Sequence, residues 1–557
     1  MTKYVRITRM TQSEALEILK SGHNAYVTGP AGSGKTYLLN KYIKFLRDNN
    51  VEVGITASTG LAATHMGGVT IHAWSGLGIR NELTEYDLDK LEERQYLWRR
   101  FEKVKVLIID EVSMLHHYRL DLVDRVLRHF KRNEKPFGGI QVVLCGDFFQ
   151  LPPVVRAGEP KAQFAYNSEA WKSLDLRICY LEEQHRQTDK DFIGVLNAIR
   201  EARVNEETLN LLRNCYGKKS KCDIEPTRLH THNENVDTIN AAELKKITGD
   251  TYTYKMSDKG AERLVELLEK SCLAPRELHL KVGAKVMFVK NNNEQGFVNG
   301  TLGVVESCDH FGPIVRTTTG QIIKVEPATW MIEENGKLKA EIKQYPLRLA
   351  WAITVHKSQG MSLDSVEVDL SKSFEKGMGY VALSRVRTLA GLKLLGLNKN
   401  ALEVSEEILK YDGEMRRISM EQTAEQNQLA VEIKNREQAE FLTKIKSSKK
   451  DKVKKKTAAE EIKELLREKK SLKEMAKIRG VKVESILDNL EKIADVEGHA
   501  SMSHLKKEIS SVKFKKIYSA FKDMFSENRD YRLSPIKNKL GSGVTFEEIR
   551  LVRLFVK

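Results

Sequence analysis

Residues 29–36, Gly-Pro-Ala-Gly-Ser-Gly-Lys-Thr, constrain the fold of this chain more than any other feature. They fit the pattern G-x-x-x-x-G-K-[ST] in full, after an apolar run at 25–27 and before a helical pattern that starts at residue 37. Because glycine adopts positive φ readily, such a loop can turn several backbone N–H groups inward around a phosphate. An ammonium group then reaches the outer phosphates, a hydroxyl ligates magnesium, and the positive end of the following helix faces the same anion. The sequence therefore predicts a strand–loop–helix unit that binds nucleotide phosphates through Gly29, Pro30, Ala31, Gly32, Ser33, Gly34, Lys35 and Thr36.

A second apolar run, residues 104–109, ends in the two carboxylates Asp110 and Glu111. This pattern is typical of a buried parallel strand whose carboxyl end opens into a crevice. Taken alone, the run is better explained as an ordinary strand that ends in solvated acids. About seventy residues after a phosphate loop, however, Asp110 is expected to hold Mg²⁺ and Glu111 to orient and polarise an attacking water.

A third apolar run, residues 141–145, leads into Gly-Asp-Phe-Phe-Gln-Leu-Pro-Pro at 146–153. A side-chain amide at such a strand end can sense whether a γ-phosphate is present and transmit the difference to a neighbouring domain. The residues themselves do not single out Gln150 from the other glutamines.

Further motifs follow in a fixed order along the chain. They are Thr-Ala-Ser-Thr-Gly-Leu-Ala-Ala at 56–63, Gly-Gly-Val-Thr-Ile-His-Ala-Trp at 67–74, Leu-Glu-Glu-Gln-His-Arg-Gln at 181–187, Ala-Ile-Thr-Val-His-Lys-Ser-Gln-Gly at 352–360 and Tyr-Val-Ala-Leu-Ser-Arg at 380–385. In sequence and order this series resembles the Pif-type DNA helicases of superfamily one, group B, over roughly residues 1–400. The resemblance implies an ATP-dependent DNA helicase that translocates on single-stranded DNA in the 5′-to-3′ direction and unwinds duplex or structured DNA in genome maintenance.

The same resemblance assigns roles around the nucleotide. Gln12 corresponds to the glutamine that reads the adenine edge, which favours ATP, and Gln359 to a further nucleotide-binding residue. Arg186 and Arg385 correspond to two arginines that the second motor domain extends to the γ-phosphate, where a forked, permanently charged group stabilises the transition state. With Mg²⁺ held by Thr36 and Asp110, the residues expected to carry catalysis are Lys35, Glu111, Gln150, Arg186 and Arg385.

The resemblance implies that the motifs at 56–63, 67–74 and 352–360 face the single strand or couple it to ATP. Contacts to the single strand go mainly to phosphates and sugars, so hydroxyls, backbone amides and lysines suffice and no base sequence is read. The residues that the resemblance places there are Thr59, His72, Thr354, His356 and Lys357.

The expected fold class is α/β: two RecA-like P-loop NTPase domains with ATP between them, a small Src-homology-three-like β-barrel insertion and an α-helical C-terminal extension. Short alternating runs at 285–289, 303–307 and 321–325, with an Asn-Gly turn at 299–300, predict the barrel. Capping-box patterns at 457–460 and 471–474, followed by Gly480, predict a helix-turn-helix. The expected boundaries are 1–178 for the first motor domain, with a small wedge insert at about 76–100; 179–274 and 346–400 for the second; 275–345 for the barrel; 401–456 for a helical and lysine-rich linker; 457–497 for the helix-turn-helix; and 498–557 for a helical basic tail.

The charge balance is consistent with a nucleic-acid partner. The net charge is +16 and the pI about 9.2, which suits a polyanion such as nucleic acid or an acidic membrane surface, although a lysine-rich solvated surface gives the same numbers. No segment has the apolar length of a bilayer span, and residues 1–10 lack the apolar core of a secretory signal. The six cysteines are scattered without metal-ligand spacing, so reduced thiols and a cytoplasmic, nucleoid-associated location are expected.

Two other functions fit parts of the pattern. An RNA helicase of the Upf type shares the same hydrolytic chemistry, and a DNA-binding regulator that keeps a vestigial ATPase fold would share the motor architecture. The expected partners are single-stranded DNA and duplex junctions, with the chain monomeric and without a membrane. The helix-turn-helix is expected to bind duplex DNA or protein.

Overall fold

A computed structural model of the chain describes residues 9–78, 80–153, 163–187, 189–217, 224–230, 235–292, 294–334, 337–373, 376–447, 458–528 and 533–556. The chain divides into two units, Met1–Lys446 and Ser447–Lys557. The first unit contains the motor motifs, and the second contains the predicted helix-turn-helix.

The first motor domain is built on a parallel sheet. Its strands are β1 (Ala25–Thr28), β2 (Val53–Ala57), β3 (Val69–Thr70), β4 (Val106–Asp110), β5 (Gln141–Cys145) and β6 (Arg177–Tyr180). Its helices are α1 (Gln12–Lys20), α2 (Lys35–Asp48), α3 (Gly60–His65), α4 (Ile71–Ser75), α5 (Glu85–Glu92), α6 (Gln95–Lys103), α7 (His117–Lys131) and α8 (Glu169–Lys172). The strand order is β3-β2-β4-β5-β1-β6, and each neighbouring pair is parallel. Every residue of β1, β4 and β5 is buried, as expected for central strands covered on both faces, so the carboxyl ends that bear the motifs meet at one edge.

Residues 76–100, where a small wedge insert was predicted, mostly form the helices α5 and α6. Leu88, Leu91 and Leu97 on these helices are buried in the same hydrophobic cluster as Leu120 and Phe130 of α7. The segment is charged on its outer side, but its leucines are part of the core of the first domain.

The second motor domain starts with α9 (Lys190–Arg200), α10 (Glu206–Arg213), β7 (Thr227–His230) and α11 (Val236–Lys246). The predicted boundary at residue 179 is at least two residues too early, because β6 runs to Tyr180 and pairs with β1 in the first sheet. The connection between the two domains is therefore the motif at 181–187.

An insertion interrupts the second domain, and its described residues form three small antiparallel sheets. Its elements are β8 (Tyr252–Lys255), β9 (Ser257–Gly260), α12 (Glu262–Ser271), β10 (Glu277–Leu280), β11 (Lys285–Phe288), β12 (Leu302–Asp309), β13 (Gly312–Thr317), β14 (Ile322–Lys324), β15 (Ala328–Glu334), β16 (Lys337–Gln344) and β17 (Leu347–Leu349). The sheet orders are β14-β13-β12-β11-β17, β15-β16-β9 and β10-β8. The predicted range of 275–345 is too short, because β8, β9 and α12 lie upstream of it. Strand β9 is exposed along its whole length, so its sequence lacks the hydrophobic alternation that would predict a strand. It is a strand because it pairs with β16.

After the insertion the chain completes the second sheet with β18 (Ala352–Thr354), β19 (Val366–Leu370), α13 (Met378–Leu383) and β20 (Leu392–Leu397). The order is β18-β7-β19-β20, and all neighbouring pairs are parallel. The side chain of Asn240 on α11 fixes the start of β18, since it donates to the Ala352 carbonyl at 2.9 Å and accepts from the Ala352 N–H at 3.0 Å.

The helices α14 (Glu406–Gln428) and α15 (Val431–Ser447) correct the prediction that residues 401–456 form a linker. Helix α14 lies along β6, and α15 buries Phe441 in the hydrophobic cluster of α1 and α2. The chain thus returns from the second motor domain to the first. The lysine-rich run at 448–456 lies outside the described residues. The predicted capping box at 457–460 depends on residue 457, which also lies outside them.

The second unit is helical, with α16 (Ala458–Arg467), α17 (Leu472–Arg479), α18 (Val483–Glu497), α19 (Ser511–Asn528), α20 (Leu533–Leu540) and α21 (Phe546–Arg553). The predicted capping box is present between Ser471 and Glu474, and Gly480 ends α17 with φ +64°. Residues 498–557 were predicted as a separate tail, but Phe521 and Ile549 are buried in one core with Leu487 of the helix-turn-helix. In the described parts of both units, no helix is long and apolar enough to cross a bilayer.

Candidate active site

The phosphate loop between β1 and α2 requires glycine for two reasons. Gly32 and Gly34 have φ of +86° and +83°, which side chains rarely adopt. A Cβ at Gly32 would lie 2.6 Å from Cβ of Arg186, and one at Gly34 would lie 2.2 Å from Nε2 of Gln12. The ammonium of Lys35 donates to the Gly29 and Pro30 carbonyls, at 2.8 and 3.0 Å, so it lies inside the curve of the loop.

Asp110 and Glu111 lie at the carboxyl end of β4, next to the loop. Asp110 is 6% exposed, and one of its oxygens accepts from the Glu111 N–H at 2.8 Å. Glu111 has φ +52° and ψ +44°, a left-handed conformation that costs a non-glycine residue about 1–2 kcal/mol. Burial, and then the neighbouring Asp110 carboxylate, raise the pKa of Glu111 to about 7. A carboxylate with a pKa near neutrality is suited to accept a proton from a water molecule.

Gln150 lies in the loop after β5, and Arg385 of the second domain contacts it. The Gln150 amide oxygen accepts from Nη2 of Arg385 at 2.9 Å, and its nitrogen lies 3.4 Å from a carboxylate oxygen of Asp147. Arg385 is 1% exposed, and removal from water lowers its pKa, while Glu111 acts in the opposite direction. This buried guanidinium therefore lies across the domain interface from the predicted catalytic base.

Arg186 lies on the segment that joins the two domains, which corrects the expectation that the second domain extends it. The N–H of His185 donates to the Gly32 carbonyl at 2.9 Å, which attaches this segment to the phosphate loop. On the other side, Nη1 of Arg186 donates to the Ser384 carbonyl at 3.3 Å. Burial, and then the charge of Arg385, lower the pKa of Arg186 to about 10. Two mutually repelling guanidinium groups beside a phosphate loop form a site for a polyanion.

The two glutamines predicted to bind the nucleotide lie in different places. Gln12, the first residue of α1, lies over the loop, with Nε2 3.3 Å from the Ser33 carbonyl and 3.1 Å from Nε2 of His185. Gln359 follows β18 in the second domain and is 5% exposed. The structure places Gln12 next to the loop. Its neighbour His185 was not among the residues predicted from the sequence.

The predicted nucleic-acid residues lie at carboxyl ends of strands in both sheets. Thr59 follows β2 and caps α3 by accepting from the Ala62 N–H at 3.3 Å, and His72 lies on α4 after β3. In the second domain, Thr354 ends β18 and accepts from the N–H of Lys357 at 3.1 Å. His356, between them, is exposed.

The ammonium of Lys357 donates to Asp237 at 2.9 Å, and the same carboxylate accepts from Arg348 at 3.1 Å. Two cations thus share one carboxylate, so these three groups together carry a net positive charge. Asp237 and Arg348 were not predicted from the sequence.

The residues present fit a nucleotide and a magnesium ion. The loop glycines leave room where a Cβ would close it, and both Glu111 and Arg385 have a buried polar atom without a hydrogen-bond partner among the described residues. Mg²⁺ prefers oxygen ligands and takes few from the protein when a nucleotide supplies the rest. The Thr36 hydroxyl and the Asp110 carboxylate are of that kind.

Three family models match this chain. One described as PIF1-like helicase matches residues 10–210, one described as DNA helicase Pif1, 2B domain, matches 263–307, and one described as helix-turn-helix domain matches 458–553. The insertion in the second motor domain is therefore the small 2B domain.

Known proteins match over a longer range. The ATP-dependent DNA helicase Pif1 of Psychrobacter sp. (strain PRwf-1) is 45% identical over 473 residues, which covers 74% of this chain and 72% of the relative. The crystal structure of Bacteroides sp Pif1 in complex with ADP-AlF4 is 33% identical, with a TM-score of 0.62, and covers 73% of this chain and 97% of the other. The Bacteroides Pif1 complex with ADP-AlF3 and ssDNA is 32% identical, with a TM-score of 0.50, and covers 74% and 98%. Identity at this level over most of a relative's length, together with the same α/β motor fold, shows that the chain belongs to the PIF1-like helicase family.

Proposed function

We propose that this chain is an ATP-dependent DNA helicase that translocates on single-stranded DNA in the 5′-to-3′ direction and unwinds duplex or structured DNA in genome maintenance. The observation that carries the proposal is that the candidate hydrolytic groups of two parallel sheets meet at one place. The loop, Asp110 and Glu111 come from one sheet, and Arg385 contacts Gln150 from the other. A cleft with hydrolytic groups on both walls converts the presence of a γ-phosphate into domain closure.

The site would work as follows. Lys35 and the loop amides bind the β- and γ-phosphates, and Gln12 contacts the adenine. Glu111 orients the attacking water and accepts its proton as the water oxygen forms a bond to the γ-phosphorus. The bond from the γ-phosphorus to the bridging oxygen of the β-phosphate breaks in the same step, and ADP is the leaving group. Arg186 and Arg385 stabilise the charge that develops on the transferred group, while Gln150 detects its presence. Release of phosphate removes the partner of both arginines, so the domains separate again.

We assign Mg²⁺ to the Thr36 hydroxyl and the Asp110 carboxylate. Held there, the ion would neutralise part of the charge on the phosphates. The direct neighbour of Asp110, Glu111, would then be left as the group that handles the proton.

The single strand is assigned to the surface that carries Thr59 and His72 on the first domain and Thr354, His356 and Lys357 on the second. Closure of the domains would shorten the distance between the DNA contacts of the first domain and those of the second. If the two domains release the strand alternately, it would move by about one nucleotide per ATP. Support comes from the Bacteroides relative, whose crystal structure contains ssDNA. Duplex junctions are assigned to the same motor, and the helix-turn-helix to duplex DNA or a protein; the protein is proposed to act as a monomer.

The proposal is tested by unwinding of matched duplexes with a 5′ or a 3′ single-stranded tail, in the presence of ATP and Mg²⁺. The chain is expected to open only the 5′-tailed duplex. Lys35→Ala removes the ammonium from the loop, so hydrolysis should fall by at least about a hundredfold and unwinding should disappear. Lys44→Ala is the matched control, because Lys44 lies on the same helix and pairs only with exposed Asp48 among the contacts described. Unwinding that survives in Lys35→Ala would contradict the motor.

A second measurement separates the DNA helicase from an RNA helicase of the Upf type. Hydrolysis of ATP is measured with deoxyribo- and ribo-homopolymers of equal length. Stronger stimulation by DNA is expected, and equal or stronger stimulation by RNA would favour the RNA helicase. Absence of hydrolysis with either polymer would indicate a vestigial ATPase.

A further inference from the structure

A single buried guanidinium, that of Arg200 at the end of α9, connects three parts of the motor unit. Arg200 is 1% exposed. Its Nη1 donates to both carboxylate oxygens of Asp147, at 2.8 Å each, and to the Tyr380 hydroxyl at 3.2 Å. Its Nη2 donates to Asp412 at 3.0 Å and to the Tyr180 hydroxyl at 3.2 Å. No step of the proposed hydrolysis uses this arginine.

On one side, the network leads to Gln150, the proposed sensor of the γ-phosphate. Asp147 is fully buried, and its carboxylate accepts from Nη1 of Arg200 and from the Phe149 N–H, and lies 3.4 Å from the amide nitrogen of Gln150. With its nitrogen directed to this carboxylate, the Gln150 amide presents its oxygen to Arg385. The pair of Arg200 and Asp147 thus sets which end of the amide faces the arginine.

A second branch leads to the phosphate loop. The Tyr380 hydroxyl, which receives a hydrogen bond from Arg200, accepts another from the Ala31 N–H at 3.3 Å. Tyr380 lies on α13, five residues before Arg385. Arg200 therefore contacts a residue whose hydroxyl joins the second domain to the loop.

The third branch leads to α14. Asp412 accepts from Arg200, from the Tyr180 hydroxyl at 2.9 Å and from Nε of Arg416 at 2.9 Å. A buried guanidinium needs nearby carboxylates to compensate for its loss of water. Arg200 has two, Asp147 from the loop after β5 and Asp412 from α14. Helix α14 follows the second sheet along the chain and lies against β6 of the first, so the network includes both domains and the helix that returns between them.

We infer that Arg200 and Asp412 are positioning residues for ATP hydrolysis: Asp412 fixes the Arg200 guanidinium, and Arg200, through Asp147, orients the Gln150 amide toward Arg385. This inference rests on the proposed ATPase activity and extends it to a helix beyond the shared motifs. It also gives α14 a role in hydrolysis that a linker would not have.

Two variants of the full chain test the inference. Asp412→Asn keeps the shape and an accepting oxygen but removes the charge, and Arg200→Lys keeps the charge but loses the fork that spans two carboxylates. We expect kcat with saturating single-stranded DNA to fall about tenfold in Asp412→Asn and about a hundredfold in Arg200→Lys, with KM for ATP changed less than about threefold. The control is Glu425→Gln, on the same helix, which breaks an exposed ion pair with Arg177 of β6 and should leave kcat unchanged.

A double variant distinguishes positioning from general loosening. If Asp412 acts through Gln150, Asp412→Asn should lower kcat no further in a Gln150→Ala background, whereas independent effects would multiply. Wild-type kcat in Asp412→Asn, multiplying losses, or loss of the folded circular-dichroism spectrum in both single variants would overturn the inference. The proposed function fails separately, if the wild-type chain hydrolyses no ATP.

Discussion

Glu111 shows, at the scale of a residue, what the active site costs the fold. Its backbone is left-handed, and one carboxylate oxygen is buried without a hydrogen-bond partner among the described residues. Its pKa is raised to about 7 by burial and by Asp110, which means that the folded protein holds the ionised form poorly. Strain and a desolvated charge on one residue are typical of a site selected for chemistry and not for stability.

Glu111→Gln is therefore expected to stabilise the protein in the absence of nucleotide and Mg²⁺ while abolishing hydrolysis. The folded pKa lies above the usual value of 4.5, so the folded state binds the proton more tightly than the unfolded state, and stability falls as pH rises from about 4.5 to about 7. The gain in the variant should be about 3 kcal/mol at pH 8 and less than about 1 kcal/mol at pH 5. Denaturant unfolding of both proteins at the two pH values measures it. An equal gain at both pH values would show that the carboxylate is not desolvated.

Arg200 is an example of a residue whose partners could not be predicted from the sequence. The loop around Lys35 and the carboxylate pair at the end of β4 are local patterns, so the sequence alone predicted that they lie together. Three of the four partners of Arg200 lie 53, 180 and 212 residues away along the chain, and no short window of sequence includes them together. One signal was present: Arg200 continues the spacing of Phe192 and Leu196, so a cation falls on the apolar side of α9. An arginine in that position requires a buried carboxylate partner.

At the scale of elements, the relation between α14 and β6 explains why the linker prediction failed. β6 is an edge strand, and the Tyr180 N–H donates to Ser419 at 3.1 Å while the Ile178 N–H donates to Gln422 at 2.7 Å. Polar side chains of the helix thus satisfy backbone groups that a neighbouring strand would otherwise take. A helix that covers a strand edge needs polar residues on its inner side, so its hydrophobic pattern is weak and its sequence resembles a solvated helix.

Ser419→Ala tests this covering role. It removes the acceptor of the buried Tyr180 N–H while deleting a single oxygen, so the local cost should be about 1–2 kcal/mol. The expected result is about tenfold faster hydrogen exchange at the Tyr180 amide, because opening of the α14 contact becomes easier by that amount. The control is Glu421→Ala, whose partner Arg417 is exposed, and whose effect on this amide should be negligible. Unchanged exchange in Ser419→Ala would show that the strand edge does not depend on the helix.

At the scale of the whole molecule, positive charge and hydrolytic chemistry are divided between different parts of the sequence. Residues 447–557 contain 28 Lys and Arg against 17 Asp and Glu, a net charge of +11 out of the +16 of the chain. The motor unit, with four fifths of the residues, keeps the remaining +5. Because non-specific affinity for nucleic acid follows cation–phosphate contacts, the C-terminal part is expected to contribute mainly binding and the motor mainly turnover.

Removal of residues 447–557 tests this division on a motor unit that keeps α14 and the buried Phe441 of α15. With saturating single-stranded DNA, kcat for ATP should stay within about twofold of the full chain, since all the groups of the nucleotide site remain. Affinity for DNA at low salt should weaken by at least about tenfold, and the slope of log K against log salt should become shallower by about two or more.

A full chain in which the six lysines between 449 and 456 are replaced by glutamine separates two sources of this affinity. If it behaves like the shortened protein, the lysine run supplies the binding, and if it behaves like the wild type, the helix-turn-helix unit does. Equal salt slopes in all three proteins would place DNA binding within the motor alone and contradict the division.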